Sequence, residues 1–437
     1  MKKRWLCLPL LLCCLFSSSA SAQNRVIVRT TLGRQGLQQF CNPILFVQTC
    51  TVVRGLGDPL QQLFLVTTPL DLTTFLNLLG NTAGIVDAEA DQVVSLIGGL
   101  NQLGTPPAGL SDTAPNHYFN TSVWNGYAIQ PAAQIVRVSE AQSMFHASGK
   151  GIVADIDTGV DPNHPALMTS LLPGYDFTRN QPGGSEMNDF AGPPPSGSTS
   201  NIAQVNQSTA AVLDQSTAAV LDGSPQYAAF GHGTMVLGVI HLVAPKAKLL
   251  PLKAFDSSGS GFLSDILRAV YFGVQNGANV INMSFDFKTS SAEFNKALDY
   301  ANQNNVICAA SAGNDGMQEI VYPAALQNDV MGVASTSDAD MRSAFSNYGN
   351  AIVWVAAPGE AIISTYPFGT YAASSGTSFS APFVSGAAAL LLDIDKGVNE
   401  AQAAAAIANA VPVGDGMGKG RLDLVLALQS MSSRQPN

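Results

Sequence analysis

From about residue 125 onward the chain alternates short apolar runs of strand character with longer stretches of helical period, and this alternation constrains the fold more than any other feature. The apolar runs cover 151–156, 249–255, 280–283, 306–310, 330–334 and 352–356. Between them Leu263, Ile266, Leu267, Val270, Tyr271 and Val274 form one helical stripe, and Phe294, Ala297, Leu298 and Ala301 form another. Strands that are apolar on both faces need cover on both faces, so the pattern predicts a three-layer, doubly wound, mostly parallel α/β sheet. The composition agrees, because 46% hydrophobic and 12% charged residues leave ample material for a large core.

A smaller unit precedes this region. Residues 25–29 read as a strand, 32–40 as a short helix, and 46–53 and 63–68 as two more strands. Asp71 is placed to cap a helix whose Leu72, Phe75, Leu76 and Leu79 share one face, and 85–94 alternate like a last strand. The order βαββαβ predicts a small α+β ferredoxin-like sandwich over residues 23–95. Cys41 and Cys50 fit either a bridge between adjacent elements or two buried thiols, and Cys308 sits in an apolar run as a core thiol.

Three segments stand outside these two units. Residues 1–22 begin with Lys2, Lys3 and Arg4, continue through an apolar run over 6–16, and end in Ala20-Ser21-Ala22. That is the pattern of an export signal cut after Ala22, and the apolar run is too short to span a bilayer. Residues 96–124 carry Gly, Pro, Asn and Thr with little periodicity and read as a linker open to proteolysis. Residues 180–226, rich in Gly, Pro, Ser, Asn and Gln, contain the octapeptide QSTAAVLD twice in tandem over 207–222, as a duplicated surface insertion would. The net charge of -10 argues against a nucleic-acid surface, and no further segment promises a membrane span after signal removal.

Three short motifs fall at the strand ends and helix starts where such sheets carry their sites. Asp157-Thr158-Gly159 closes the first apolar run, Gly231-His232-Gly233-Thr234 opens a helix, and Gly376-Thr377-Ser378 begins an Ala-rich helix in which Pro382 suits a first turn. The two glycines around His232 would let a partner strand approach the backbone. Each motif alone fits an ordinary turn, structural histidine or helix cap. Together they supply an orienting carboxylate, a base and a nucleophile at a helix N-terminus, in the chain order Asp, His, Ser. The α/β-hydrolase arrangement is excluded, since no histidine follows His241 and Ser380 replaces the second Gly of a G-x-S-x-G elbow. No H-E-x-x-H zinc motif is present.

At this point the sequence resembles the subtilisin-like serine peptidase family, with matching segments from about 124 to 428. The resemblance implies a secreted serine endopeptidase, in the extracellular space or periplasm, using Asp157, His232 and Ser378, with Asn314 as oxyanion donor. It also implies that polypeptide substrate binds as an added strand between 259–261 (Gly259, Ser260, Gly261) and a segment centred on Ser284, with Ser311, Ala312 and Gly313 lining the first specificity pocket. No cofactor is implied for catalysis; structural calcium is frequent in the family, and no ligand cluster here has diagnostic spacing. The unit 23–95 resembles the family's inhibitory prosegment, so a self-processing, monomeric zymogen cut between about 95 and 124 is expected. Asp286 stands where the family has Gly, which leaves open whether it narrows the pocket, favours basic side chains or faces solvent. Asp155 stands on the same strand face as Asp157, where an apolar residue is usual. A silent relative that only binds, and an esterase for small substrates, are the readings from other classes.

Overall fold

The structure, a computed structural model, describes residues 23–42, 48–96, 107–190, 203–206, 209–212 and 225–433. The export signal expected at 1–22 and most of the tandem repeat lie outside the described residues. Among the described residues two bodies are present, one drawn from 23–55 and 62–90 and the other from 56–61 and 91–433.

The first body has the expected order of elements. Strands Asn24–Thr30, Thr51–Gly55, Leu63–Thr68 and Ile85–Ala90 form an antiparallel sheet with Asn24–Thr30 and Leu63–Thr68 at its centre. Helices Gly33–Cys41 and Leu72–Gly80 turn Leu37, Phe75 and Leu79 onto Val26, Val28, Phe64 and Val66. Asp71 caps the second helix by accepting a hydrogen bond from the Thr74 N–H at 3.1 Å. Cys41 and Cys50 are joined by a disulfide, which settles the choice the spacing left open. In a body this small, the bridge adds stability chiefly by restricting the unfolded chain.

In the second body an eight-stranded sheet carries the parallel strands Lys248–Lys253, Ile152–Asp157, Val280–Met283, Ile307–Ser311, Met331–Thr336 and Val355–Pro358, adjacent in that order. The strands Val280–Met283, Ile307–Ser311, Met331–Thr336 and Val355–Pro358 are buried along their whole length, as cover on both faces requires. Helices Leu263–Gln275 and Ala292–Gln303 use the stripes read from the sequence. His232–Val243 and Thr377–Ile394 are buried nearly throughout. The latter is long and apolar enough to cross a membrane by composition, yet 89% of it lies inside this core. Each fully buried leucine there, such as Leu390 or Leu391, contributes about 1.5–3 kcal/mol.

Three boundaries differ from the sequence reading. The alternating run 85–94 is not one strand: it breaks at Asp91-Gln92, and Val93–Ser95 belongs to the second body, paired with Ser260–Phe262. The expected linker is shorter than 96–124, because Pro115–Tyr118 and Thr121–Trp124 form a hairpin and Leu110 and Val123 enter the main core. The expected surface insertion is also not surface throughout: Gln181, Pro182 and Asn188 are exposed, yet Glu186 is fully buried.

Candidate active site

Asp157 is the last residue of its strand and His232 the first of its helix. The imidazole Nδ1 lies 2.7 Å and 2.8 Å from the two Asp157 oxygens. The Thr158 N–H donates to Asp157 Oδ1 at 2.6 Å, so the carboxylate is oriented from two sides. His232 Nε2 is buried and has no hydrogen-bond partner among the described residues. The glycines beside His232 serve close packing, which corrects the expectation of an exposed backbone. Gly231 has φ 89°, and a Cβ there would lie 2.2 Å from the Tyr366 ring; one on Gly233 would lie 2.1 Å from the Gly159 carbonyl oxygen.

Ser378 lies in the first turn of Thr377–Ile394, where unpaired N–H groups favour negative charge. Its neighbour Phe379 packs against the His232 ring with centroids 5.5 Å apart. The hydroxyl itself donates to the Ser284 carbonyl at 3.1 Å, so the structure does not join it to His232 by a hydrogen bond. Pro382 sits in the second turn, later than expected. Because proline has no N–H, the Ser378 carbonyl lacks a helical donor, and it accepts instead from Ser284 Oγ at 2.9 Å. Asn314 Oδ1 accepts from the Thr377 N–H at 2.8 Å and from Thr377 Oγ1 at 3.0 Å, which turns its amide NH₂ to the other side.

Within the same body a short strand pairs with the segment Ser260–Phe262 on one side and meets Asp286 on the other. Val93–Ser95 runs antiparallel to Ser260–Phe262, with Ser95 opposite Ser260 and Val94 opposite Gly261. Leu96 N–H donates to the Gly259 carbonyl at 2.8 Å, and on its other side Ser95 pairs antiparallel with Asp286. Val94 and Leu96 point into the body while Val93 is exposed. Asp91 anchors this stretch by accepting from the Ser264 N–H and hydroxyl, each at 2.8 Å. Thus Gly259, Ser260 and Gly261 flank this strand on one side and Asp286 on the other. Ser311 ends the strand Ile307–Ser311, and Ala312 and Gly313 follow it into Asn314. A Cβ on Gly313 would come 3.1 Å from Asp286 Oδ2, so the Asp286 carboxyl reaches toward that segment. Burial, and then the charge of Asp315, push Asp286 up to about 7.

Asp155 is buried beneath the site. Its Oδ1 accepts from Asn282 Nδ2 at 2.9 Å, and its Oδ2 has no partner among the described residues. Burial first, and the charge of Asp157 second, raise its pKa well above the usual carboxylate range. Asn282 passes the contact on, donating to Ser284 Oγ at 2.9 Å and accepting from Ser385 Oγ at 2.8 Å.

Sequence reasoning missed Glu186. It is fully buried, and burial lifts its carboxyl to about 7 against the pull of its hydrogen bonds. Its setting in a Gly- and Pro-rich stretch hides it, since only tertiary contact shows what it meets. Among the described residues no group of three or more His, Cys, Asp or Glu is arranged to hold a metal ion.

The sequence profile of the subtilase family matches residues 149–425. The chain belongs to the subtilase family. It is 34% identical to thermitase of Thermoactinomyces vulgaris over 69% of this chain and 96% of that one. It is 39% identical to subtilisin Savinase of Lederbergia lenta over 37% of this chain and 62% of the relative. Among solved structures, a lanthipeptide protease superposes with a TM-score of 0.54 at 23% identity, covering 69% of this chain and 95% of that one, a likeness of fold. This subtilase is therefore a serine-type endopeptidase acting on polypeptides.

Proposed function

We propose that this subtilase is an exported, self-processing zymogen whose catalytic residues are Asp157, His232 and Ser378. The observation that carries the assignment is the paired contact of Asp157 with His232 Nδ1, which leaves Nε2 buried and unpartnered. Asp157 fixes the tautomer with the proton on Nδ1, so Nε2 is free as a base. It takes the Ser378 Oγ proton as that oxygen attacks the peptide carbonyl carbon. The negative oxygen that forms meets Asn314 Nδ2 and the N–H groups at the helix start. His232 then returns the proton to the leaving amine, and water repeats the cycle on the acyl-enzyme. No cofactor takes part in these steps, and calcium is left unassigned.

Body 23–90 and the strand after it are proposed as an intramolecular inhibitor. Support comes from the register of 93–96, which runs as an added strand between Ser260–Phe262 and Asp286 in the manner of bound peptide. In antiparallel pairing, a chain entering with one residue opposite Asp286 has the residue two places on opposite Ser284, whose carbonyl accepts the Ser378 hydroxyl. A cut soon after Leu96, early in the 96–124 stretch, follows from that register. The N-terminal segment with its Ala20-Ser21-Ala22 end supports export to the medium or periplasm, and the mature enzyme is proposed to act as a monomer.

The test compares wild-type and Ser378→Ala chains by intact mass, N-terminal sequencing and casein hydrolysis. Wild type is expected to lose its first ~100 residues and digest casein, with turnover falling by roughly 10⁶ in the variant, which stays unprocessed. Equal maturation of both chains would overturn self-processing. Casein turnover that survives in the variant would overturn Ser378 as nucleophile.

A further inference from the structure

We infer that Glu186 is a positioning residue for the catalytic pair, a buried carboxyl clasp that ties the turn after Asp157 to the start of the His232 helix. The inference rests on the triad assignment above. Glu186 Oε2 accepts from the Thr158 hydroxyl at 2.9 Å and from the Gly231 N–H at 2.8 Å. Glu186 Oε1 accepts from the Thr234 hydroxyl, and from the Thr234 N–H at 3.3 Å. The two backbone donors cannot reverse their roles. Each hydroxyl also accepts one N–H, Thr158 Oγ1 from Gly233 at 2.9 Å and Thr234 Oγ1 from Asp161 at 2.8 Å, and directs its own proton to Glu186. All four groups facing Glu186 thus donate as they are arranged, and a carboxylate that accepts on both oxygens satisfies them.

The partners are the residues that flank the chemistry. Thr158 follows Asp157 directly, while Gly231, Gly233 and Thr234 surround His232. The Asp157 turn is gripped from its other side by Lys253, whose fully buried ammonium donates to the Thr158 carbonyl at 2.8 Å, the Phe255 carbonyl at 2.6 Å and Asp189 at 2.7 Å. Glu186 and Asp189 lie on one short helical turn, so a single segment reaches both sides of Thr158. The carboxylate also lies at the N-terminus of His232–Val243, where negative charge is favoured. Glu186 touches no reacting atom in this arrangement. Its effect passes through the distance and angle between Asp157 and His232.

The experiment uses the full chain with Glu186→Gln, which keeps the shape but replaces one acceptor with a donor. A covalent serine reagent first counts competent sites. Then kcat and KM per counted site are measured on one chromogenic peptide. Expected is a fall in kcat of roughly 10- to 100-fold, the scale of a misplacement near 1 Å, with KM nearly unchanged. Thr158→Val should lower kcat in the same way, while Thr158→Ser, which keeps the hydroxyl, should restore it. A second arm needs no turnover. In the Ser378→Ala background, the low-field proton signal of His232 Nδ1–H is compared with and without Glu186→Gln, and it is expected to shift or broaden. Unchanged kcat per site with an unchanged signal would overturn the inference. So would loss of competent sites with normal kcat in those that remain, which marks Glu186 as a folding residue only. If the Ser378→Ala arm shows the expected shift while wild type cleaves nothing, the clasp stands and the functional reading above falls.

Discussion

The acid–base half of the site and the nucleophile half are held by different kinds of contact. Around Asp157 and His232 the supports are charged: Glu186 on one side of Thr158, and Lys253 with Asp189 on the other. Around Ser378 and Asn314 they are neutral amides and hydroxyls, with Thr377 holding Asn314, and Ser284, Asn282 and Ser385 linked beneath the helix. The difference follows from where each half sits. Ser378 belongs to a buried helix 18 residues long, already rigid through its own packing. The Asp157 turn and the loop before His232 lack such a frame, and ionic hydrogen bonds, roughly twice as strong as neutral ones, supply it. Full burial of those charges makes each half-made contact costly, so the first half should be the more sensitive to single substitutions.

The comparison can be broken most forcefully at Asp157. Asp157→Asn preserves shape but presents a donor where His232 Nδ1–H needs an acceptor. The expected loss is about 10⁴ in kcat, read with a peptide substrate at constant enzyme folding. A loss of only a few-fold would mean that the charged half does not set the tautomer. Next in size is Asn314→Ala, which removes one oxyanion donor from the neutral half. Its expected cost of roughly 10²–10³ in kcat is the figure known for subtilisin itself, so kinship and not this geometry supplies the number. Equal KM in variant and wild type would sharpen the view that the amide acts in the transition state alone.

The smallest effect is expected where the two halves meet. Asp155 neighbours Asp157 in the strand yet contacts Asn282 of the neutral network. With its folded pKa raised above the ordinary carboxylate value by burial and then by the charge of Asp157, it binds a proton in the folded chain that the unfolded chain has already released. Its contribution to stability is therefore full below that value and is lost as pH rises toward the folded pKa. Asp155→Asn should leave kcat nearly unchanged and match wild type in Tm in acid. Its Tm advantage should widen as pH rises, as followed by thermal unfolding of the Ser378→Ala form. A Tm gap that does not change with pH would mean that Asp155 is ionised throughout.

Much of this architecture is legible in the sequence for physical reasons. The runs 280–283 and 306–310 announce doubly covered strands because nothing in them tolerates water, and the ββ-type pattern of the first body survives in its alternation. The three motifs are legible because each pairs a chemically competent side chain with the glycine or helix start its geometry needs. What stayed hidden depends on tertiary contact. Glu186 in a polar stretch looks like a solvated carboxylate until its four donors are seen. The break at Asp91-Gln92 interrupts a good alternating pattern, since Asp91 already belongs to the second body, where it accepts from Ser264 at a helix start. The hairpin at 115–124 has good β formers in Tyr118, Thr121, Val123 and Trp124, but its strands are only four residues each and follow a Gly- and Pro-rich stretch, so packing of Val123 and Trp124 had to reveal it. The disulfide required the geometry of Cys41 and Cys50.

The central claim, that Ser378 is made nucleophilic by His232 and Asp157, is tested most directly by covalent labelling. Enzyme freed of its first ~100 residues, by self-processing in wild type and by active wild-type enzyme in the variants, is treated with a serine-directed sulfonyl fluoride and digested with an independent peptidase, and the adduct is located by mass spectrometry. The account predicts one adduct per chain on Ser378, lost from His232→Ala and formed far more slowly in Asp157→Asn. An adduct on another serine, or labelling of Ser378 that proceeds equally well without His232, would contradict it.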